Sequence, residues 1–191
     1  IGKGLLADPD LPRKLTSGRD DRIVPCIVCM HCRDVLQTPG KVGIECQVNP
    51  RLGHDDEPEP VETSAPKRVL VVGGGPAGMV AAATAAERGH SVTLWEKSAA
   101  LGGQLLLAAV PPHKDRIRAF TEHLRRELDR TCVRVELETD ASAEAILKAQ
   151  PDVVVLATGP LPLMPDMPGF EALDMVDAGQ VLSGVAKVGR R

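Results

Sequence analysis

The stretch RVLVVGGGPAG at 68–78 constrains this chain more than any other. A short apolar run leads into clustered glycines, and an alanine-rich segment follows. That order is strand, tight turn, helix, the context a dinucleotide-binding fingerprint requires. Gly73 permits the turn, Gly75 lets the backbone approach a pyrophosphate, and Gly78 lets the helix pack closely on the strand. The helix opening at Pro76 and Ala77 offers unpaired N–H groups and a partial positive charge to phosphates. Glu96, followed by Lys97, closes the next apolar run, SVTLW. It lies about 20 residues beyond the glycines, where an acid hydrogen-bonds a ribose hydroxyl. An acid there disfavours a 2′-phosphate, so the site is expected to hold FAD, ADP or NAD rather than NADP. The bland alternative is a glycine turn without a ligand and a solvated Glu96. Strand, helix, spacing and acid agree against it.

The rest of the pattern is regular. Residues 68–72, 91–95, 133–137 and 152–157 read as strands. Residues 77–88, 114–130 and 143–149 read as helices. Gly89 closes the first helix in a left-handed conformation. Ile117, Phe120, Leu124 and Leu128 form one face of the second. Strands alternating with helices predict an α/β fold, a Rossmann-like parallel sheet. Aromatic residues make up only 2% of the chain and tyrosine is absent. The core must therefore come from Val, Leu, Ile and Ala, as in a parallel sheet covered by helices. A catalytic tyrosine is excluded.

Ahead of this pattern, Cys26, Cys29, Cys32 and Cys46 follow the spacing C-x2-C-x2-C-x13-C. Close spacing without a secretory leader favours metal ligation over disulfides. Zinc sites usually present two separated pairs. Three cysteines in one loop and a fourth at a distance is the cadence of a [4Fe–4S] cluster, with structural zinc or free thiols as the alternatives. His31, inside the loop, reads as a neighbour of the centre, since four cysteines already complete it. The fifth cysteine, Cys132, reads as a small buried hydrophobe.

The chain divides by composition. Residues 1–20 read as a loop with one short helix and no core. Residues 21–54 carry the cysteines among few periodic signals, and a metal centre would order them. Residues 55–66, DDEPEPVETSAP, have linker composition. Residues 67–160 form the dinucleotide domain. Residues 161–191 are proline-rich, with a helical turn expected at 177–182. The net charge of −3, with both signs interspersed, argues against nucleic acid as a partner. No apolar run is long enough for a membrane span, and no signal peptide is evident, so a cytoplasmic setting is expected. The start at Ile1 and the stop at Arg191 read as those of a fragment.

The motifs ADPDLP (7–12), CIVCMHC (26–32), ECQVNPR (45–51), GGGPAG (73–78), LGGQL (101–105) and VVVLATG (153–159) occur in one order. Together they resemble the C-terminal portion of the iron–sulfur flavoenzymes of the Old Yellow Enzyme superfamily. That family includes 2,4-dienoyl-CoA reductases, enoate reductases and trimethylamine dehydrogenase. The resemblance implies an FMN-binding (β/α)8 barrel before this segment and an NAD(P)H domain after it. Residues 1–20 would be the end of the barrel, and 161–191 the crossover toward the NAD(P)H domain. It implies that Cys26, Cys29, Cys32 and Cys46 hold [4Fe–4S]. Gly73, Gly75, Pro76, Ala77, Gly78, Glu96, Lys97, Gly103, Gln104, Thr158 and Gly159 would hold FAD. Gly2 and Lys3 match the last barrel turn near the FMN phosphate, with lysine in place of the usual arginine.

By the same resemblance, hydride from NAD(P)H reaches FAD, and single electrons pass through the cluster to FMN. FMN then reduces an activated C=C bond, as in an NADH:flavin oxidoreductase of the 2,4-dienoyl-CoA reductase kind, or runs in reverse for amine oxidation. The x2 cysteine spacing follows the amine dehydrogenases, while NPR after Cys46 and the LGGQLLLAAVPPHK stretch follow the reductases. No catalytic acid or base falls in these residues. The partners implied are the remaining domains of the parent, and exposed faces would favour a homo-oligomer. Two further readings stand beside it: an electron-transfer subunit like the small subunit of glutamate synthase, and a zinc-stapled nucleotide-binding module without redox activity.

Overall fold

Four consecutive residues of RVLVV are buried, which makes this strand the centre of the architecture. The computed structural model describes residues 2–54, 56–57, 61–163, 168, 175–187 and 189. Strand β1 (Arg68–Val72) lies inside a parallel four-stranded sheet with β2 (Ser91–Trp95), β3 (Arg134–Glu136) and β4 (Val153–Leu156). The order is β3-β2-β1-β4. Val69 pairs with Val92 on one side and Val153 on the other. This is the first half of a doubly wound sheet, with its topological switch point between β1 and β4.

Helices α4 (Pro76–Glu87) and α6 (Asp115–Arg130) pack on the face formed by Val69, Val71, Val92 and Leu94. Met79, Ala82 and Leu128 complete that core at 0–1% exposure. Each fully buried Leu, Val or Met contributes about 1.5–3 kcal/mol. The alanines of α4 keep that helix close to the sheet. On the opposite face of β4, Val154 and Leu156 remain exposed.

The strands and long helices agree with the sequence pattern to within one or two residues, the usual fraying of element ends. The α4 helix begins at Pro76, whose missing N–H is no loss at the first helical position. Helix α7 is Ala143–Ala149, capped by the Ser142 side chain. Helix α8 (Ala178–Leu182) has Asp177 and Gln180 in a capping box. Residues 164–167 and 169–174 of the expected crossover lie outside the described residues.

Three expectations need correction. Residues 1–20 carry two helices, α1 (Gly2–Ala7) and α2 (Leu11–Thr16), rather than a loop with one. They also reach the core, since Ala7 packs in the same cluster as Val48, Val71 and Met79. The reason is Asp8, 2% exposed, which accepts the N–H of Asp10 (3.1 Å) and of Val24 (2.9 Å) and pairs with Lys14 (2.6 Å). One buried carboxylate thus binds both helices to the cysteine segment. That segment itself holds α3 (His31–Gln37). Cys132 is exposed rather than buried, because the chain reverses there at φ 55° to leave α6. Among the described residues no helix is long and apolar enough to cross a membrane.

Candidate functional site

The glycine turn is built as its spacing requires. Gly73 has φ +109°, and a Cβ there would sit 2.3 Å from the Ala157 carbonyl oxygen of β4's exit. A Cβ on Gly78 would lie 1.8 Å from the Gly73 carbonyl oxygen. Gly75 differs: its φ is −75° and a Cβ there would meet nothing within 4 Å. The open space in front of Gly75, at the N-terminus of the twelve-residue α4, is where a pyrophosphate would rest. The residues present therefore fit a dinucleotide such as FAD.

Glu96 is 7% exposed and both carboxylate oxygens are engaged. Oε2 accepts the Gly74 N–H at 2.6 Å and Oε1 accepts the Ser98 N–H at 2.8 Å. Burial opposes its ionisation, but the Ser98 and Gly74 donors outweigh burial and hold its pKa below the ordinary range. Each oxygen keeps a second lone pair for a ribose hydroxyl. Glu96 so does more than its spacing implied: it ties the end of β2 to the glycine turn.

Around Glu96 a cavity of about 220 Å³ is bordered by Gly73, Trp95, Lys97 and Thr158. Its far wall is Thr139, Asp140 and Ala141, from the loop after β3, which the sequence reading missed. A polar TDAS cluster at a strand's carboxyl end was the available signal, because ligands in such sheets bind there. The cavity is smaller than the ~300–1,000 Å³ typical of whole ligands, so it suits one end of a dinucleotide. Gln104 reaches the Pro160 carbonyl at 3.5 Å. Gly103 and Gly75 nearly touch, since a Cβ on Gly103 would be 3.0 Å from the Gly75 Cα. Pro76 and Ala77 open α4, and Gly159 turns at φ 73°.

The four cysteines form no disulfide and border one pocket, together with Lys3, Leu6, Ile27, Met30 and Val48. Val28 (φ 56°) and Met30 (φ 64°) turn the loop between them through the left-handed region. A β-branched residue there is strained by about 1–3 kcal/mol, a cost found at ligand clamps. Lys3 donates to the Met30 sulfur at 3.5 Å, while Gly2 is exposed. His31 Nε2 meets Glu45 Oε2 at 3.2 Å, linking the loop to the neighbour of Cys46. Lys41 and His31 hold the Glu45 carboxylate below its ordinary pKa. Among the described residues no group of three or more His, Cys, Asp or Glu is arranged for a metal ion. Cys26 and Cys46 also pack against the core that supports the glycine turn.

A parallel sheet of order 3-2-1-4 with this glycine turn defines a dinucleotide-binding domain. Residues 68–157 match the FAD dependent oxidoreductase family. The chain is 41% identical to the NADH oxidase of Thermoanaerobacter brockii, over 96% of this chain and 29% of that protein. It is 38% identical to the N,N-dimethylglycine/sarcosine dehydrogenase of Chromohalobacter salexigens, over 97% of this chain and 28% of that protein. The solved structure of 2-naphthoyl-CoA reductase superposes with a TM-score of 0.90 at 35% identity, covering 98% of this chain and 28% of that one. The chain thus spans under a third of the length of the relatives it matches. Over nearly its whole length it is similar to these flavoenzymes of the Old Yellow Enzyme type.

Proposed function

We propose that this chain is the electron-transfer portion of an NAD(P)H-dependent flavin and iron–sulfur oxidoreductase. It binds FAD on the glycine turn and [4Fe–4S] on Cys26, Cys29, Cys32 and Cys46, and serves an FMN barrel that reduces an activated C=C bond. When bound, FAD exchanges electrons in pairs as hydride, and a four-iron cluster exchanges them singly. The chain's own part is positional. Glu96, Lys97 and Thr158 border the ribose end, Gly75 leaves space for the pyrophosphate, and Gly103 and Gln104 close the front. Gly2 and Lys3, beside the cysteine loop, face the barrel and its FMN phosphate. The carrying observation is that the cysteine pocket and the dinucleotide cradle rest on one hydrophobic core.

The relative that oxidises dimethylglycine and sarcosine favours a second reading, amine dehydrogenation, which the C-x2-C-x2-C spacing also supports. Both readings use the same two sites. The test is an anaerobic absorption spectrum with iron, acid-labile sulfide and released flavin measured on one sample. A broad shoulder near ~400 nm with about four irons per chain supports the cluster, and released FAD supports the flavin site. Zinc without sulfide would replace this reading by a non-redox nucleotide-binding module. Turnover of an enoyl-CoA against a methylated amine, in the protein with its barrel, separates the two substrate classes.

A further inference from the structure

Helix α6 presents Arg118 and Arg125 two turns apart, so they share one face. That face meets residues 101–109. Arg125 donates one N–H to the Leu101 carbonyl and another to Glu122 at 2.6 Å. Arg118 donates to the Ala109 carbonyl at 2.9 Å. The two carbonyls bracket helix α5 (Gln104–Ala108), the element that carries Gln104. Between the arginines, the Thr121 methyl lies 3.0 Å from where a Cβ on Gly102 would stand.

The bracketed loop leans on the glycine turn. Gly102 donates its N–H to the Gly74 carbonyl at 2.8 Å. The Leu101 side chain lies 2.5 Å from where a Cβ on Gly74 would be, so the leucine packs directly on that glycine. A displacement of the Leu101 carbonyl therefore moves the next residue's bond to the phosphate-facing turn.

We infer that Arg118 and Arg125 are positioning residues that hold the Gly102–Gly103–Gln104 loop against the glycine turn and so preform the dinucleotide site. The inference rests on the FAD reading given above. Arg125 needs the guanidinium fork, because its two bonds point to a carbonyl and a carboxylate at once, which one ammonium serves poorly.

In the purified protein, Arg125→Met is expected to speed amide hydrogen exchange across 101–109 about tenfold. It is expected to weaken FAD binding, followed by flavin fluorescence, also about tenfold, with the urea midpoint unchanged. Arg118→Met should show the same pattern, and Arg125→Lys should recover part of the loss. Arg126→Met, on the same helix but bonded to the Asp21 carbonyl, should leave exchange in 101–109 and FAD affinity at wild-type values. Unchanged exchange and affinity in both methionine variants would overturn the inference. So would a uniform rise in exchange with a lower urea midpoint, which would mark general packing. If the wild type binds no FAD while exchange in 101–109 still responds, the flavin reading fails and the loop clamp stands.

Discussion

Glu96 holds the backbone N–H of Gly74 at 2.6 Å, a bond from the end of β2 to the turn after β1. It is short because the acceptor is ionised and buried. Glu96→Gln keeps the shape but turns an amide donor toward one of two backbone donors. The expected loss is about 1–3 kcal/mol at pH 7. The pKa of Glu96 is lowered in the fold from an ordinary 4.5. Its contribution is therefore complete above that value and disappears as pH falls through the lowered one. Urea titrations of both proteins should show the gap between them closing on acidification below pH 4.5; a gap of constant size would reject the assignment.

Two glycines in the turn should respond in opposite ways to alanine. In Gly78→Ala the new Cβ meets the Gly73 carbonyl at 1.8 Å, and backbone cannot yield cheaply. The expected cost is about 3 kcal/mol or more. In Gly75→Ala the Cβ enters open space at an ordinary φ. Stability should hold while FAD binding falls at least ~10-fold, because the methyl occupies the phosphate's approach. Thermal unfolding of the apo forms and flavin titration check the pair.

Asp8 should govern the cysteine segment from outside it. Asp8→Ala leaves Lys14 and the Val24 and Asp10 N–H groups without their acceptor. Loss of a buried pair of this kind costs about 3–5 kcal/mol. Val24 stands two residues before Cys26, so iron per chain should fall with stability. Iron assay after anaerobic reconstitution, beside an urea titration, would show whether the two decline together.

His123 gives a second pH dependence. It is 5% exposed, stacks on Phe120, and its Nδ1 is buried without a hydrogen bond. Burial lowers its pKa from 6.5; Glu127 and Asp8 oppose this shift, while Arg126 and Lys14 reinforce it. The neutral ring is the stable form in the fold, so stability is complete above pH 6.5 and is lost as pH falls through the lowered value. His123→Leu should lie within about 1 kcal/mol of wild type at pH 8. It should also lack the wild-type slope that sets in below pH 6.5. A parallel slope in both would assign the acid sensitivity elsewhere.

The glycine spacing and the apolar runs RVLVV, SVTLW and VVVL between helical segments determined the parallel sheet with its helices, because such patterns are local properties. The spacing of the cysteines likewise made them a set before any fold was known. Periodicity says nothing of segments far apart in the chain. It could not show that Asp8 joins ADPDLP to the cysteine loop, or that Glu96 spends both oxygens on backbone N–H groups. Nor could it show that Thr139–Ala141 reach the Glu96 cavity, or that two α6 arginines hold the Leu101 and Ala109 carbonyls. Those contacts depend on strand order and register, which place the exits of β1, β2 and β3 side by side, and only the tertiary structure decides them.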